Sequence, residues 1–304
     1  MFENAIELVG EYTRPFVYIS RNYGETLVLP SSATMFFVND EGVAVTTRGV
    51  AETILMSQKI NARYAQFKQI IKQIPNDQNR GAMIKEREKE FGYTKGITVN
   101  VKCNFKGCVA PISEITCHIS KLHNLAIVHF KGFDTTHYKG HAVFADDANS
   151  VRPGKILCRL GFPYPEVSSA IYNGITDDIE WGNVGAINTP RFPVDGMVTR
   201  HVVTNGKVSG IELSTPGIKG QSGGPLFDEN GVIYGMHIES RRLNLGYSFN
   251  EHGLPAKNNE TGSSDSAFIY VGHCLSADVI KAFLSDNKVK YYTQSGEVVP
   301  NREV

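Results

Sequence analysis

Apolar and polar positions alternate in short runs through the first part of the chain, and turn residues divide the runs. Runs at 16–20 and 25–29 flank Asn22, Tyr23 and Gly24. Runs at 34–38 and 43–47 flank Asn39-Asp40-Glu41-Gly42, a hairpin signature. The runs 97–102 and 125–130 continue the series, and the period of two resumes at 155–161, 168–176, 197–204, 210–214, 225–227, 232–239 and 266–272. Many short strands at close spacing predict an all-β barrel or sandwich.

Two stretches change period. In 51–92, Ile60, Tyr64, Phe67, Ile71 and Ile74 fall at helical spacing, and a more charged helical segment follows Pro75. This predicts a helical insertion that packs on, or covers, one mouth of the first barrel. The stretch 275–285 predicts a closing amphipathic helix, with Ser276 as N-cap and Val279, Ile280 and Phe283 on one face. Polar residues across 244–265 predict a long exposed loop, and the last dozen residues read as a loose tail.

Composition adds exclusions. At 304 residues, 41% hydrophobic and 20% charged, the chain is long and apolar enough for a sizeable core. Lys+Arg and Asp+Glu both total 31, so charge favours neither a nucleic-acid nor an anionic-membrane partner. No basic stretch leads into an apolar run at the start, and no run has the length of a membrane helix, so a cytoplasmic location is expected. Cys103, Cys108 and Cys117 lie close together near His118, but there is no CxxC pair. Buried thiols are the expectation, with no metal.

The sharpest chemical signal is Gly220-Gln221-Ser222-Gly223-Gly224-Pro225, followed by a turn and a further apolar run. A serine that attacks a carbonyl needs an exposed hydroxyl on a tight turn, with backbone N–H groups aimed at the forming oxyanion. The glycines permit that turn. Ser222 is the candidate nucleophile, and the Gly220 and Ser222 amides are the candidate oxyanion hole.

This segment resembles the GxSGGP motif of chymotrypsin-fold serine peptidases, notably the bacterial branch of glutamyl endopeptidases and HtrA proteases. FFVNDEGVAVTTRGVAE resembles the strand-turn-strand that ends in T-x-x-H-V, HNLAIVHF the D-L-A strand, and VRPGKILCRLGFP the start of the second barrel. The three segments keep the family order. The resemblance implies an all-β fold of two six-stranded antiparallel barrels. The first would span 1–145 with insertion 51–92, the second 146–290 with the C-terminal helix, and 291–304 would be a tail. It implies no cofactor and a polypeptide substrate or protein partner.

Laid on these patterns, Gly49 stands where the triad histidine belongs and Asn124 where the aspartate belongs. Glycine carries no base, and asparagine cannot balance an imidazolium. An Asp→Asn change at such a site costs about 10⁴ in kcat. If the alignment is shifted, another histidine could serve as base: His123 beside Asn124, or His118, His129 or His201 elsewhere in the barrels. On the specificity side, His237 falls where the family lines its S1 pocket, which resembles the peptidases that take Glu or Gln at P1. An imidazole N–H donates to a carbonyl or carboxylate, and a cationic ring would favour glutamate. Ser214 and Thr215 would add hydroxyl donors, and no acidic residue marks a pocket for Arg or Lys. Two readings stand: an endopeptidase acylated at Ser222 but impaired by Gly49 and Asn124, and a pseudopeptidase that binds a peptide in the same cleft.

Overall fold

The computed structural model describes residues 1–105, 107–249 and 265–300. Asn39 fixes the first tight hairpin, its Oδ1 accepting from the Glu41 and Val43 amides at 3.0 and 3.4 Å. Gly42 closes the turn at φ +76°, a conformation that favours glycine. The hairpin joins strands Leu29–Phe37 and Val43–Thr46.

These belong to a six-stranded antiparallel sheet in the order Thr98–Asn104, Thr13–Asn22, Leu29–Phe37, Val43–Thr46, Ala126–Lys131, Glu114–Ile119. The second barrel runs Pro225–Phe227, Ile156–Gly161, Phe192–Thr204, Lys207–Leu213, Asp265–Ser276, Ile233–Phe249. A further pairing of Pro225–Phe227 with Ile233–Phe249 closes that ring of six. The fold is therefore all-β with two barrels.

The strand Ile156–Gly161 serves both cores. Leu157 enters the core of the second barrel with Ile211, Leu213 and Leu226. Cys158 and Leu160 point the other way, into the large cluster with Phe16, Phe36, Phe37 and Phe130. Each fully buried phenylalanine there contributes about 2 kcal/mol through apolar burial. By the same alternation Arg159 sits on the Leu157 side, inside the second barrel.

Several boundaries differ from the sequence reading. The runs 25–29 and 34–38 are not two strands: residues 25–28 form a loop held by Arg21 Nη1 on the Glu25 carbonyl, and one strand covers Leu29–Phe37. The run 168–176 contributes only Ala170–Asn173, because the Asn173 side chain accepts from the Ile175 and Thr176 amides and turns the chain into Asp178–Trp181. Across 244–265, strands Ile233–Phe249 and Asp265–Ser276 pair out to Phe249 opposite Asp265, so the loop is shorter than expected. Its centre, 250–264, lies outside the described residues. The tail is also ordered: Tyr291–Thr293 and Gly296–Val298 form a hairpin in the second sheet, with Tyr292 stacked on His141. Residues 301–304 lie outside the description.

Helix α1 covers Glu3–Gly10, and the closing helix α4, Ala277–Asp286, starts two residues later than the expected 275. Ser276 caps it by accepting from the Asp278 amide. The insertion forms α2, Arg48–Gln73, and α3, Arg80–Phe91. Here α2 lies along the edge strand Thr98–Asn104, where Asn61 donates to the Val101 carbonyl (2.7 Å) and accepts from its amide (2.9 Å). That satisfies an edge that would otherwise be open to pairing. Tyr23, Tyr64, Phe67 and Tyr93 pack into a small aromatic core beneath α2. No helix among the described residues is long and apolar enough to cross a membrane.

Candidate active site around Ser222

The nucleophile loop is built by close backbone approach. Gly223 has φ +87°, and a Cβ there would lie 2.0 Å from the Thr34 carbonyl oxygen. Gly220 has φ +103°, and its Cβ would meet Pro163 Cα at 2.5 Å. No other residue fits either position without displacing backbone. Thr34 holds the loop from the first barrel: its amide donates to the Ser222 carbonyl (2.9 Å), and its hydroxyl to the Gly220 carbonyl (2.8 Å). Thr46 fixes Thr34 in turn, donating to its carbonyl at 2.7 Å. Gln221 is fully buried, accepting from the Ile218 amide and donating to the Phe192 carbonyl.

This bonding leaves two amides over. Gly223 and Gln221 donate to His237 and Ile218 carbonyls, but the Gly220 and Ser222 amides have no acceptor among the described residues. Ser222 itself is half-buried, and its hydroxyl makes no hydrogen bond there. The Ser222 hydroxyl and these two N–H groups are thus left without partners within one turn, among the described residues.

Gly49 and Asn124, distant in sequence, meet at the start of α2. The Arg48 amide donates to Asn124 Oδ1 at 3.1 Å, and the Arg48 guanidinium reaches the Ser120 and His123 carbonyls. Asn124 thus satisfies one of the orphan N–H groups of the helix N-terminus. Gly49 is exposed in the first helical turn, and a Cβ on it would meet nothing within 4 Å. Thr46, three residues before Gly49, borders the nucleophile loop: a Cβ added to Gly223 would lie 2.5 Å from its Oγ1. No imidazole bonds to Ser222 among the described residues. His118 is exposed, and His201 Nε2 lies 2.8 Å from the Val151 carbonyl. Burial holds His129 below the usual imidazole range. His123 is half-buried beside Asn124.

On the specificity side the structure gives each of the three candidate residues its surroundings. His237 is 2% exposed, and burial, with Arg159 adding repulsion, pushes its imidazole down to about 3. The ring is therefore neutral at physiological pH and cannot attract a carboxylate as a cation. The Thr215 hydroxyl donates to the Asp195 carbonyl (2.5 Å) and accepts from Arg159 (2.7 Å), so its proton is committed within the protein. The Ser214 hydroxyl accepts from the Met197 amide at 3.0 Å. Both hydroxyls serve the strand Phe192–Thr204. Sequence reasoning missed Arg159, which is fully buried and donates to the Thr215 and Pro216 carbonyls. A lone arginine in an apolar run was its only signal.

All five cysteines are free. Burial pushes Cys103 and Cys117 up to about 11 and Cys108, Cys158 and Cys274 to about 12, so none is a thiolate.

No family model and no curated protein matches the chain. Among solved structures it is similar to the HtrA-type protease AlgW as a serine-to-alanine variant with a decapeptide, at 10% identity and a TM-score of 0.48, covering 95% of this chain and 68% of that one. AlgW with a tripeptide gives 10% identity and a TM-score of 0.46, covering 94% of this chain and 63% of that one. At this distance the likeness is one of overall form; the two-barrel description rests on the strand order itself.

Proposed function

We propose that the chain is a serine-endopeptidase scaffold whose cleft receives an extended polypeptide at Ser222, and that Gly49 and Asn124 leave its acyl-transfer chemistry impaired. The observation that carries this reading is the pair of unspent Gly220 and Ser222 amides beside a free serine hydroxyl. With such donors in place, binding and oxyanion stabilisation alone give about 10³–10⁴ over water without any base.

The second reading is a pseudopeptidase that holds a peptide without cleaving it. The observation in its favour is Asn124, whose carboxamide is engaged in starting α2. Restoration separates the two. The open space at Gly49 accommodates an imidazole, and Asn124→Asp keeps an acceptor for the Arg48 amide. Gly49→His with Asn124→Asp is expected to cleave members of a diverse peptide library, with kcat raised by at least about 10³ over the unmodified chain and lost again on Ser222→Ala. Binding without cleavage after restoration would establish the pseudopeptidase. Strong labelling of the unmodified Ser222 by a fluorophosphonate would overturn the assignment of Gly49 as the vacant base position.

A further inference from the structure

We infer that the cavity between the first barrel and the hairpin Ala170–Asn173/Asp178–Trp181 binds a small uncharged molecule that carries a carboxamide. The site is separate from the Ser222 cleft and needs no turnover there.

The cavity measures about 640 Å³, within the usual range for small-molecule sites. One wall is the outer face of the strand Thr13–Asn22. Phe16 turns into the core of the first barrel, so Pro15 and Val17 line the cavity from the opposite face. The facing wall is the hairpin, where Ile179 is fully buried and Trp181, two residues on, points the same way. Asn183 and Gly185 form an exposed rim, so the cavity opens to solvent. The hairpin wall is fixed in place. Asp178 accepts from Asn100 at 2.9 Å and from Lys102 at 3.0 Å, both on the strand Thr98–Asn104. Gly185, at φ +98°, folds the rim so closely that a Cβ on it would lie 2.7 Å from the Ser168 carbonyl oxygen. A guest therefore meets a cavity that is already formed, which spares the cost of ordering one.

Two side chains that line it hold polar atoms without partners. Ser169 is 5% exposed, and neither its buried hydroxyl nor the buried Trp181 Nε1 makes a hydrogen bond among the described residues. Unpaired buried polar groups are costly, and an indole N–H can only donate. A carbonyl oxygen brought in from outside answers both, and one rotamer step of Ser169 turns its hydroxyl toward such a guest. On the rim, the Asn183 side chain has no partner among the described residues and can accept from an amide N–H. Charge on the guest is disfavoured, because no charged side chain lines the cavity among the described residues. The cations nearby are already engaged. Arg14 donates to the Gly10, Thr13 and His137 carbonyls, and Lys102 pairs with Asp178. A carboxylate or ammonium here would lose its hydration without gaining a counter-charge. Val17 and Ile187 leave apolar surface for the hydrocarbon part of the guest.

Trp181 is the only tryptophan of the chain, so its emission reports on this cavity alone. N-acetylleucine amide is titrated into the intact chain beside its charged analogues, N-acetylleucine and leucine amide, at neutral pH. The uncharged amide is expected to change the emission saturably, with a Kd on the order of 1 mM for about a dozen heavy atoms. Each charged analogue should bind at least about ten-fold more weakly. Ser169→Ala should weaken the amide about five-fold, yet leave the Tm of the free chain level or higher, because it removes an unpaired buried hydroxyl. Ser222→Ala should leave the titration unchanged. An emission change that stays linear in amide, or one equal for all three compounds, would overturn the proposal. So would an affinity unmoved by Ser169→Ala, or a Tm lowered by it, which would show the hydroxyl bonded within the fold. Loss of the signal in Ser222→Ala would place the amide in the nucleophile cleft and overturn it too. If Ser169→Ala does not fold, the three compounds on the unmodified chain decide alone.

Discussion

Glycine plays two opposite parts within a few residues of the candidate site. At Gly223 the backbone adopts φ +87° and leaves 2.0 Å between a would-be Cβ and the Thr34 carbonyl oxygen. Gly223→Ala is therefore expected to lose about 1–3 kcal/mol of stability, measured as a lower urea midpoint, because both strain and the Thr34 contact oppose it. At Gly49 a side chain meets open space in a helical turn. Gly49→Ala should leave stability unchanged or raise it by about 0.5 kcal/mol in the same titration. A loss of more than about 1 kcal/mol would show that Gly49 is there for packing and not merely in place of a histidine. The nucleophile loop was legible in the sequence because its geometry is local: Gly-x-Ser-Gly-Gly-Pro encodes its own turn. The engagement of Asn124 with Arg48 and of Arg159 with Thr215 and Pro216 were not, since both depend on contacts between segments far apart in the chain.

At the scale of elements, α2 ties the first barrel to the two-stranded hairpin Ala170–Asn173/Asp178–Trp181. Its Tyr64 bonds to the Asp177 carboxylate, Lys68 donates to the Thr176 and Asp177 carbonyls, and buried Arg21 pairs with Asp177 at 3.0 Å. Asp177 thus fastens the hairpin Ala170–Asn173/Asp178–Trp181 to the insertion and to the first barrel. Asp177→Ala leaves the buried Arg21 guanidinium without its carboxylate and should cost about 3 kcal/mol. Faster amide exchange in 170–181 than in the second-barrel strands is the expected accompaniment. Lys68→Ala, at a half-buried position whose ammonium donates to backbone carbonyls, should cost under about 1 kcal/mol and serves as control. Uniform loosening of both barrels in Asp177→Ala would refute a fastening role confined to the hairpin. The helical period revealed α2 but not its place, because an apolar stripe tells that a face is covered and not by what. Strand ends were misjudged for a related reason: Arg21 and Asn173 stop pairing through side-chain bonds to backbone, which alternation does not record.

For the whole molecule, the pairing order of the second barrel was legible only as a count of short strands. Closure pairs Pro225–Phe227 with Ile156–Gly161 far back in the chain, while its local hairpin with Ile233–Phe249 sets Gly223 and Gly224 against the His237 backbone. It also has a consequence for the pH dependence of stability. His237 titrates near 3 in the folded chain because burial disfavours the charged ring, against about 6.5 when unfolded. Burial likewise lowers His129, His141 and His273. The unfolded chain therefore binds more protons below pH 6.5, so stability is full above that pH and declines as pH falls toward 3. The lowered carboxylates Asp40, Asp146, Glu212 and Glu239 act in the same direction but only in the carboxylate range, which leaves pH 6.5 to 5 to the histidines. Thermal unfolding followed from pH 8 to 4 should show a plateau above 7 and a fall beginning near 6.5. His237→Gln should shallow that fall without removing it, since three other imidazoles remain. A Tm that is flat down to pH 5 in the unmodified chain would mean that His237 is open to water and not buried in the barrel.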